Sequence, residues 1–396
     1  MPSEGYSTNL ILKSSLDQKG KKMRRNTMRT RIRTILALVL VMSVVILSGC
    51  DLLGWEDEEL IIGSGFMSSI QSAIDASVDG DVIIVLPGTY IESINFKGKN
   101  ITLRSATQQE LEDLDFDFPG DAADFDIVAE TIIDGNGASE VIALDSGEER
   151  DAEIKGLTVK GGGIGIYVRA GSQVTITNSI IESNSAGGIH LIAGSTNADA
   201  SDTPSRATIT GNAIRNNVRD VGAGIYLGYY SEAVIEENTI TNNAATKTSA
   251  PRGGGAIGFY SHITHNTNTV IKNNVIKDNT AYRAGGGISL DSYGATIAIS
   301  GNEISGNEAD PSGQQAQASG GGIYIGNCQR VTIYDNDFSN NKAYWRGGAM
   351  VILQDKTYGD ETTLMTDANY DSFNTFLNNT VVDTDYHDSY DVYVGS

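Results

Sequence analysis

The chain has 396 residues, with 45 glycines but only 6 prolines, and its formal net charge is -22. Scarce proline argues against a disordered linker protein, and regularly spaced Ile and Val favour β structure. Residues 1–50 carry nine basic and two acidic side chains, so the remainder is more acidic than the whole chain. Such a body repels phosphate backbones and anionic head groups, which argues against nucleic acid as a partner.

The first predicted element is an export signal. Basic residues lead into an apolar run that ends in Leu47-Ser48-Gly49-Cys50. The run of roughly 14 residues is short for a membrane span, which needs about 20. The segment resembles a bacterial lipoprotein signal peptide with its lipobox, and a single transmembrane anchor is the alternative. The resemblance implies cleavage before Cys50, lipidation of its sulfur, and membrane attachment by the lipid anchor alone.

We therefore divide the chain into a signal peptide (1–49), an acidic tether (50–64) and a folded domain (65–396). The lipid anchor predicts a location in the bacterial cell envelope, and the choice of membrane stays open.

The folded domain begins with a predicted helix within residues 68–81. Ile70, Ala73 and Ile74 have helical spacing, and Gly80 follows the end. Such a helix would cap the exposed edge of a first β coil. Residues 108–130 are an acidic insertion that we expect to be a solvated loop. The segments predicted to form the first coils are 82–90, 94–105, 131–137, 141–147 and 152–162.

A repeat occupies the rest of the chain. The pattern [Asn/Ser]-x-[Ile/Phe]-x-x-Asn occurs seven times, and its last asparagines lie 26 to 38 residues apart. After each of the first six come a loop of variable length, a glycine cluster and an apolar strand. Fixed strands with length variation confined to one turn are typical of a solenoid. The last asparagines are Asn184, Asn217, Asn243, Asn279, Asn307, Asn341 and Asn379.

The repeat predicts a parallel β-helix. Its short strands cannot bury their apolar side alone, and stacking coils about 4.8 Å apart closes a common core. Equivalent residues then lie above one another, so a buried Asn can bond to the Asn of the next coil and to turn backbone. We predict an all-β, single-stranded right-handed parallel β-helix with a short N-terminal capping helix and roughly nine or ten coils.

These residues resemble the right-handed parallel β-helix (pectin-lyase-like) superfamily. The blend of Phe/Ile-x-x-Asn with Gly-Gly-Ala/Gly-Ile is similar to the repeats of polymorphic outer-membrane proteins and related bacterial lipoproteins. Residues 254–257 and 347–350 carry the second half of that repeat, and residues 338–341 and 376–379 carry the first half. The resemblance implies the fold, but the fold hosts many activities, so function has to be argued from a site.

Two sets of residues are candidate ligand-binding groups. Arginines precede several glycine clusters, and we expect them to form one stripe with neighbouring aromatic rings, because each loop occupies the same place on its coil. On the strand after the glycines, we expect an exposed aromatic face with His190 and Ser289 in register. Guanidinium groups bind carboxylates and rings stack on sugars, which suits an anionic polysaccharide. The candidates are Arg219, Arg252, Arg283, Arg346, Tyr226, Tyr282, Tyr324, Tyr344 and Trp345.

A structural interpretation of the same arginines stays open: each one neutralises acids such as Asp220, or covers its loop with its alkyl stem.

Few features indicate an enzyme. Lyases on this fold use clustered carboxylates for Ca²⁺ and a Lys or Arg base, whereas Asp278 and Asp291 are isolated. We assign no catalytic residue and expect no metal or cofactor, with Ca²⁺ entering only in the lyase interpretation. His262 and His265 are interpreted as polar turn residues, and Cys328 as an inert thiol.

Three functions remain. The first is a cell-envelope lipoprotein that binds carbohydrate or a partner surface through its loop face. The second is a lyase or epimerase acting on acidic polysaccharide, and the third is a structural or adhesive surface protein without a small-ligand site. The arrangement of the arginines distinguishes these three functions. Arginines that share a groove with carboxylates within about 6 Å favour the enzyme, and a groove without acids favours binding. Scattered arginines favour the structural role.

Overall fold

The computed structural model describes residues 59–63, 65–118, 126–149, 151–193, 203–246, 253–261, 267–312, 318–353, 374–381 and 392–395. The chain divides into two compact units. The structure describes only residues 107–118 of the first unit. The second contains the strands.

The first unit contains the helix Gln108–Asp113, where we expected a solvated loop. The Thr107 hydroxyl accepts a hydrogen bond from the Glu110 amide, and the Glu110 carboxylate accepts one from the Thr107 amide. This capping box and the buried Leu111 stabilise a helix despite the acidic composition, so the loop prediction was wrong for these residues.

The strands of the second unit all pair in parallel and form three sheets. The largest sheet consists of two ladders, joined where Ile288–Ser300 and Ile323–Tyr334 run through both. The other strands of ladder 1 are Glu59–Ile62, Val82–Val85, Thr102–Ser105, Glu153–Lys155, Gln173–Thr177, Ser205–Thr210, Ser231–Glu236 and Thr267–Lys272. Those of ladder 2 are Ile94–Asn95, Glu140–Leu144, Ile164–Arg169, Ile189–Ile192, Ile225–Leu227, Ile257–Ser261, Met350–Leu353 and Val392–Gly395.

Among the described residues, the second sheet contributes ten strands and the third contributes six, which follow the last six strands of the second. The second contains Gly88–Ile91, Thr131–Asp134, Thr158–Lys160, Ile180–Glu182, Ala213–Arg215, Thr239–Thr241, Val275–Lys277, Glu303–Ser305, Asp337–Ser339 and Thr375–Leu377. The third contains Val218–Arg219, Ala244–Ala245, Thr280–Ala281, Glu308–Ala309, Lys342–Ala343 and Thr380–Val381.

One coil shows the path of the chain. It passes through Ile225–Leu227, Ser231–Glu236, Thr239–Thr241 and Ala244–Ala245, and then reaches the next ladder 2 strand, Ile257–Ser261. Each strand pairs with its equivalent on the following coil, for example Ile235 with Ile271 in ladder 1. The chain is therefore an all-β parallel β-helix, as the repeat predicted.

The core is built from columns of identical apolar residues. The apolar position of the repeat is filled by residues that are fully buried and stack in register: Ile181, Ile214, Ile240, Ile276, Ile304 and Phe338. Burying each such side chain contributes about 1.5–3 kcal/mol. The column continues on the preceding coil with Val159, which is also fully buried, so the position requires a bulky apolar side chain.

Two columns of buried amides run beside the core, as predicted. In the column from Asn184 to Asn379, each side-chain Nδ2 donates to Oδ1 of the next Asn at 3.0 to 3.1 Å. The first position of the repeat forms the same chain of bonds from Asn212 to Asn374. The asparagines therefore lie in single file and satisfy one another where water is excluded.

The bends before these asparagines were not predicted. Positive φ angles occur at the glycine clusters, and the residue before each Asn of the column is left-handed as well. Asn, Asp and Gly adopt this conformation at low cost, which explains why they recur there. These positions are Ser183, Asn216, Asn242, Asp278, Gly306, Asn340 and Asn378.

The predicted N-terminal helix is present as Ile70–Ala76 and buries Ile70, Ala73 and Ile74. The Glu92 carboxylate accepts hydrogen bonds from the first amides of the helix, with 2.9 Å to the nitrogen of Ile70. At the other end, the Lys99 ammonium donates to the carbonyls of Asp75 (2.9 Å) and Ser77 (2.7 Å). A carboxylate at the start of the helix and an ammonium group at its end thus match the helix dipole. The role of this helix as a cap of the first coil stays a prediction.

Candidate functional site

The predicted arginine stripe is not a single column. Arg252 lies outside the described residues. The other three precede equivalent positive-φ glycines by different distances: Arg219 lies three residues before Gly222, Arg283 two before Gly285, and Arg346 one before Gly347. The variable loops enter the turn at different points, so sequence proximity to the glycines did not fix a common register.

The outer column of ladder 2 has the predicted register. It runs through Tyr167, His190, Tyr226, Gly258, Ser289, Tyr324 and Val351 on consecutive coils. Neighbouring residues such as Ile225 and Leu227 point the other way and are fully buried in the core.

The outer column is nevertheless largely covered. Tyr226 is only 8% exposed and His190 7%, so the predicted exposed aromatic face was wrong there. Tyr324 is half-buried. The glycine turns fold back over their own strands: a Cβ placed on Gly285 would lie 2.9 Å from the Ser289 Cβ. The glycines are therefore required for close approach as well as for positive φ.

Arg219 belongs to this covered region. Its guanidinium lies over the Tyr226 ring, 4.3 Å from the centroid, and its Nη1 donates to the carbonyl of Ala186 at 3.1 Å. The same nitrogen lies 2.9 Å from His190 Nδ1. The side chain thus ties neighbouring coils together, and burial lowers its pKa from the ordinary value.

His190 is held as a neutral ring. An arginine side chain only donates hydrogen bonds, so His190 Nδ1 accepts the bond from Arg219. The ring proton of His190 therefore resides on Nε2. The ring stacks on Tyr167 at 4.8 Å and meets Tyr226 edge-on at 4.7 Å. Nε2 is buried and has no hydrogen-bond partner among the residues that the structure describes. Burial and then the charge of Arg219 hold the pKa of His190 well below its usual value.

This pKa predicts acid sensitivity. An unfolded His takes up a proton near pH 6.5, whereas folded His190 does not, so its stabilising contribution is present above pH 6.5 and declines as the pH falls towards its folded pKa. We expect the free energy of unfolding to fall by up to about 1.4 kcal/mol per pH unit below that point. His190→Gln removes this component, and urea unfolding from pH 7.5 to 4.5 measures it.

The comparison with the variant isolates His190, because the carboxylates titrate equally in both proteins. Parallel pH profiles for the wild type and His190→Gln would contradict the assignment of a neutral buried ring.

Tyr167 and Arg169 continue this group of contacts on the preceding coil, and the sequence analysis missed them. The Arg169 guanidinium lies 4.9 Å from the Tyr167 centroid and forms an ion pair with Asp145 at 2.8 Å. This bond to Arg169 is the main cause that lowers the pKa of Asp145. The sequence contained a signal for Tyr167, since residues 164–168 show the same alternation of inward apolar and outward side chains as the strand around His190.

The remaining candidates form a second group, the loop-edge cluster, where the third sheet ends. It comprises Tyr282, Arg283, Tyr344, Trp345 and Arg346, all half-buried. The Arg346 guanidinium lies 3.8 Å from the centroid of the Trp345 ring. Tyr344 packs against the small buried residues Ala309, Ala318 and Ala343.

Strand register relates the two halves of the loop-edge cluster, which are residues 282–283 and residues 344–346. Ala281 pairs with Ala309, and Ala309 pairs with Ala343, so Tyr282 and Tyr344 follow equivalent positions two coils apart. Ala284, Ser319 and Arg346 also pair across consecutive coils, which places Trp345 opposite the position of Arg283. The cluster therefore presents rings and guanidinium groups at a two-coil interval.

The acids that could serve an enzyme have structural roles. Asp278 is one of the left-handed residues before the Asn column. Asp291 is buried, and its Oδ1 accepts from Asn327 Nδ2 at 3.0 Å. Over the described residues, no three His, Cys, Asp or Glu side chains converge as a metal site. Cys328 is buried, and burial raises the pKa of its thiol to about 12, as fits an inert thiol.

Comparison with known proteins supports the fold. The family model described as right handed beta helix region matches residues 140–315. No curated protein and no solved structure matches the chain. The match and the parallel sheets together support the right-handed β-helix superfamily. Among the described residues, no helix is both long and apolar enough to span a membrane.

Proposed function

We propose that the chain is a bacterial cell-envelope lipoprotein, anchored through Cys50, whose β-helix binds anionic carbohydrate at the loop-edge cluster. The basic residues, the short apolar run and Leu47-Ser48-Gly49-Cys50 support the anchor, and this segment lies outside the described residues. The likeness to the repeats of polymorphic outer-membrane proteins supports the same location.

The loop-edge cluster is the observation that carries the binding proposal. Three aromatic rings and two guanidinium groups, all half-buried, lie on two coils along one edge of an acidic body, and Tyr282 and Tyr344 occupy equivalent positions there. Rings offer faces for sugar stacking, and guanidinium groups form paired hydrogen bonds with carboxylates. The buried region around His190 is not part of this binding edge, because Arg219 bonds within the protein.

Affinity measurements with the full-length chain in detergent test the proposal. Polygalacturonate and alginate serve as probes, and Trp345→Ala should weaken binding about tenfold, as loss of a central aromatic contact does. Tyr334→Ala is the matched control, because Tyr334 is 43% exposed in ladder 1, away from the third sheet. Equal affinities for Trp345→Ala and the wild type would contradict a role for the cluster.

One observation favours a structural or adhesive role as a second candidate. Arg219, Arg283 and Arg346 do not share a column, and Arg219 is occupied within the protein. Absence of binding to both probes would favour this role. Release of an unsaturated, ultraviolet-absorbing product from either polymer would instead favour a lyase.

A further inference from the structure

A groove opens on the outer face of ladder 1, on a different sheet from the loop-edge cluster. It has a volume of about 320 Å³ and crosses four consecutive coils. Short side chains of one column form its floor. They are Thr175, Thr208 and Val234. The longer side chains of the neighbouring outward column line the groove beside this floor: Gln173, Arg206, Glu232 and Asn268.

The groove exposes both polar and apolar groups to a ligand. Thr208 and Asn268 are exposed, and Val234 is 36% exposed. Hydroxyl and amide groups exchange hydrogen bonds with the hydroxyl groups of a ligand, and the methyl groups of Thr and Val contact its C–H surface. This combination suits a ligand that carries hydroxyl groups around an apolar ring face, as a sugar does.

The charges at the groove are balanced within the protein. Arg206 Nε donates to Glu232 Oε2 at 2.7 Å, and on the same face Lys272 forms an ion pair with Glu236 at 2.6 Å. The cation that lines the groove is therefore already paired, and the acidic body as a whole repels anions. The Arg206 guanidinium has five N–H donors, of which this bond uses one, so it also donates to neutral hydroxyl groups. The groove thus favours an uncharged ligand.

The direction of the groove selects an extended ligand. Equivalent residues such as Thr175 and Thr208 follow one another at about 4.8 Å per coil. An extended β-1,4-linked sugar chain advances by a similar length with each sugar. A chain that lies along the column therefore places one sugar on each coil.

We propose that this groove binds a neutral, extended β-1,4-linked glycan, with one sugar on each of its four coils. The sugar rings lie over Thr208 and Val234. Their hydroxyl groups bond to Arg206, Glu232 and Asn268. The site is separate from the loop-edge cluster and does not depend on the binding of anionic carbohydrate there.

Cellotetraose and maltotetraose test the geometry, because both contain four glucose units and differ only in linkage. The β-1,4 chain is extended, whereas the α-1,4 chain curves away from a straight column. Isothermal titration calorimetry on the full-length chain in detergent should show cellotetraose binding about tenfold more tightly. Equal affinities, or no binding of cellotetraose, would overturn the proposal.

Two variants test the position of the glycan. Thr208→Arg should weaken cellotetraose binding about tenfold, because its long side chain fills the groove. Thr332→Arg is the matched control, since Thr332 lies in the same column four coils further on and outside the groove. Asn268→Ala should weaken binding about fivefold, as the loss of one hydrogen bond does. Equal affinities for the two arginine variants would contradict binding in this groove.

The two proposed sites can fail separately. Trp345→Ala should leave cellotetraose binding unchanged, and Thr208→Arg should leave polygalacturonate binding unchanged. Loss of cellotetraose binding in Trp345→Ala would place the neutral glycan at the loop-edge cluster and overturn the groove. Failure of polygalacturonate and alginate to bind, with cellotetraose bound, would overturn the loop-edge proposal and support the groove.

Discussion

Replacing Asn279 by Ala should lower the free energy of unfolding by about 3–5 kcal/mol, since it removes several buried hydrogen bonds and leaves their partners unsatisfied. Asn279 Oδ1 accepts from the backbone and side-chain nitrogens of Asn243, both at 3.0 Å. Its Nδ2 donates to the carbonyls of Ile240 and Lys277 and to Asn307 Oδ1. Asn279 has no exposed surface, and all of these bonds except the one to the Lys277 carbonyl are buried.

Asn268→Ala is the matched control for this substitution. Asn268 lies on the same coil but is exposed at the surface of ladder 1, so its loss should change stability by no more than about 0.5 kcal/mol. Urea unfolding of both variants, followed by circular dichroism, measures the difference. Similar midpoints for Asn279→Ala and Asn268→Ala would mean that the Asn column contributes little.

The second large effect is expected at the glycine turns. Gly254 has a φ of +78°, and a Cβ there would lie 2.2 Å from the carbonyl oxygen of Ile257 and 2.8 Å from the Gly258 Cα. Both atoms belong to the backbone of a paired strand, so they cannot move aside cheaply. Gly254→Ala should therefore cost about 3–5 kcal/mol, which combines the positive φ with overpacking.

Gly137→Ala separates these two causes. Gly137 has a similar φ of +84°, but no atom lies within 4 Å of its Cβ position. This variant should lose only about 1–2 kcal/mol, the cost of a left-handed Ala. The two thermal unfolding midpoints provide the comparison, and equal losses would show that close approach of the turn to its strand is unimportant.

The fold could be predicted because the interactions that stabilise it repeat in the sequence. A residue such as Ile240 or Asn243 meets its own equivalent on the next coil, so the period of the sequence becomes a column in space. The stacking of the coils and the single file of asparagines follow from that period, whereas predicted segments such as 94–105 each contain two separate strands.

The covering of the outer column could not be predicted in the same way. That Tyr226 points away from the core follows from strand alternation, but its burial depends on the glycine turn that folds back over it. The contact between Arg219 and His190 joins different coils through side chains that do not repeat. Nothing in the period of the sequence encodes such a contact.

The position of the loop-edge cluster was predicted in part, and its binding role stays a proposal. The aromatic and basic composition of the segments around Arg283 and Trp345 indicated the loop-edge cluster, and the structure adds their two-coil interval. The expected alignment with Arg219 failed because the loops before the glycines differ in length. Register in a solenoid is reliable within strands and unreliable within the turns that absorb insertions.

Distances between spin labels on ladder 1 test the stacking of coils most directly. Thr332 shares one column with Thr208, Thr175 and Glu153, which lie four, five and six coils away. Cysteines at these positions would be labelled in pairs with Thr332→Cys, with Cys50→Ser and Cys328→Ala in the background. Pulsed electron paramagnetic resonance should give separations of about 19, 24 and 29 Å, which rise by about 4.8 Å per coil. Separations that do not increase in this order and by this step would contradict the stacked columns on which the fold and the proposed binding edge both depend.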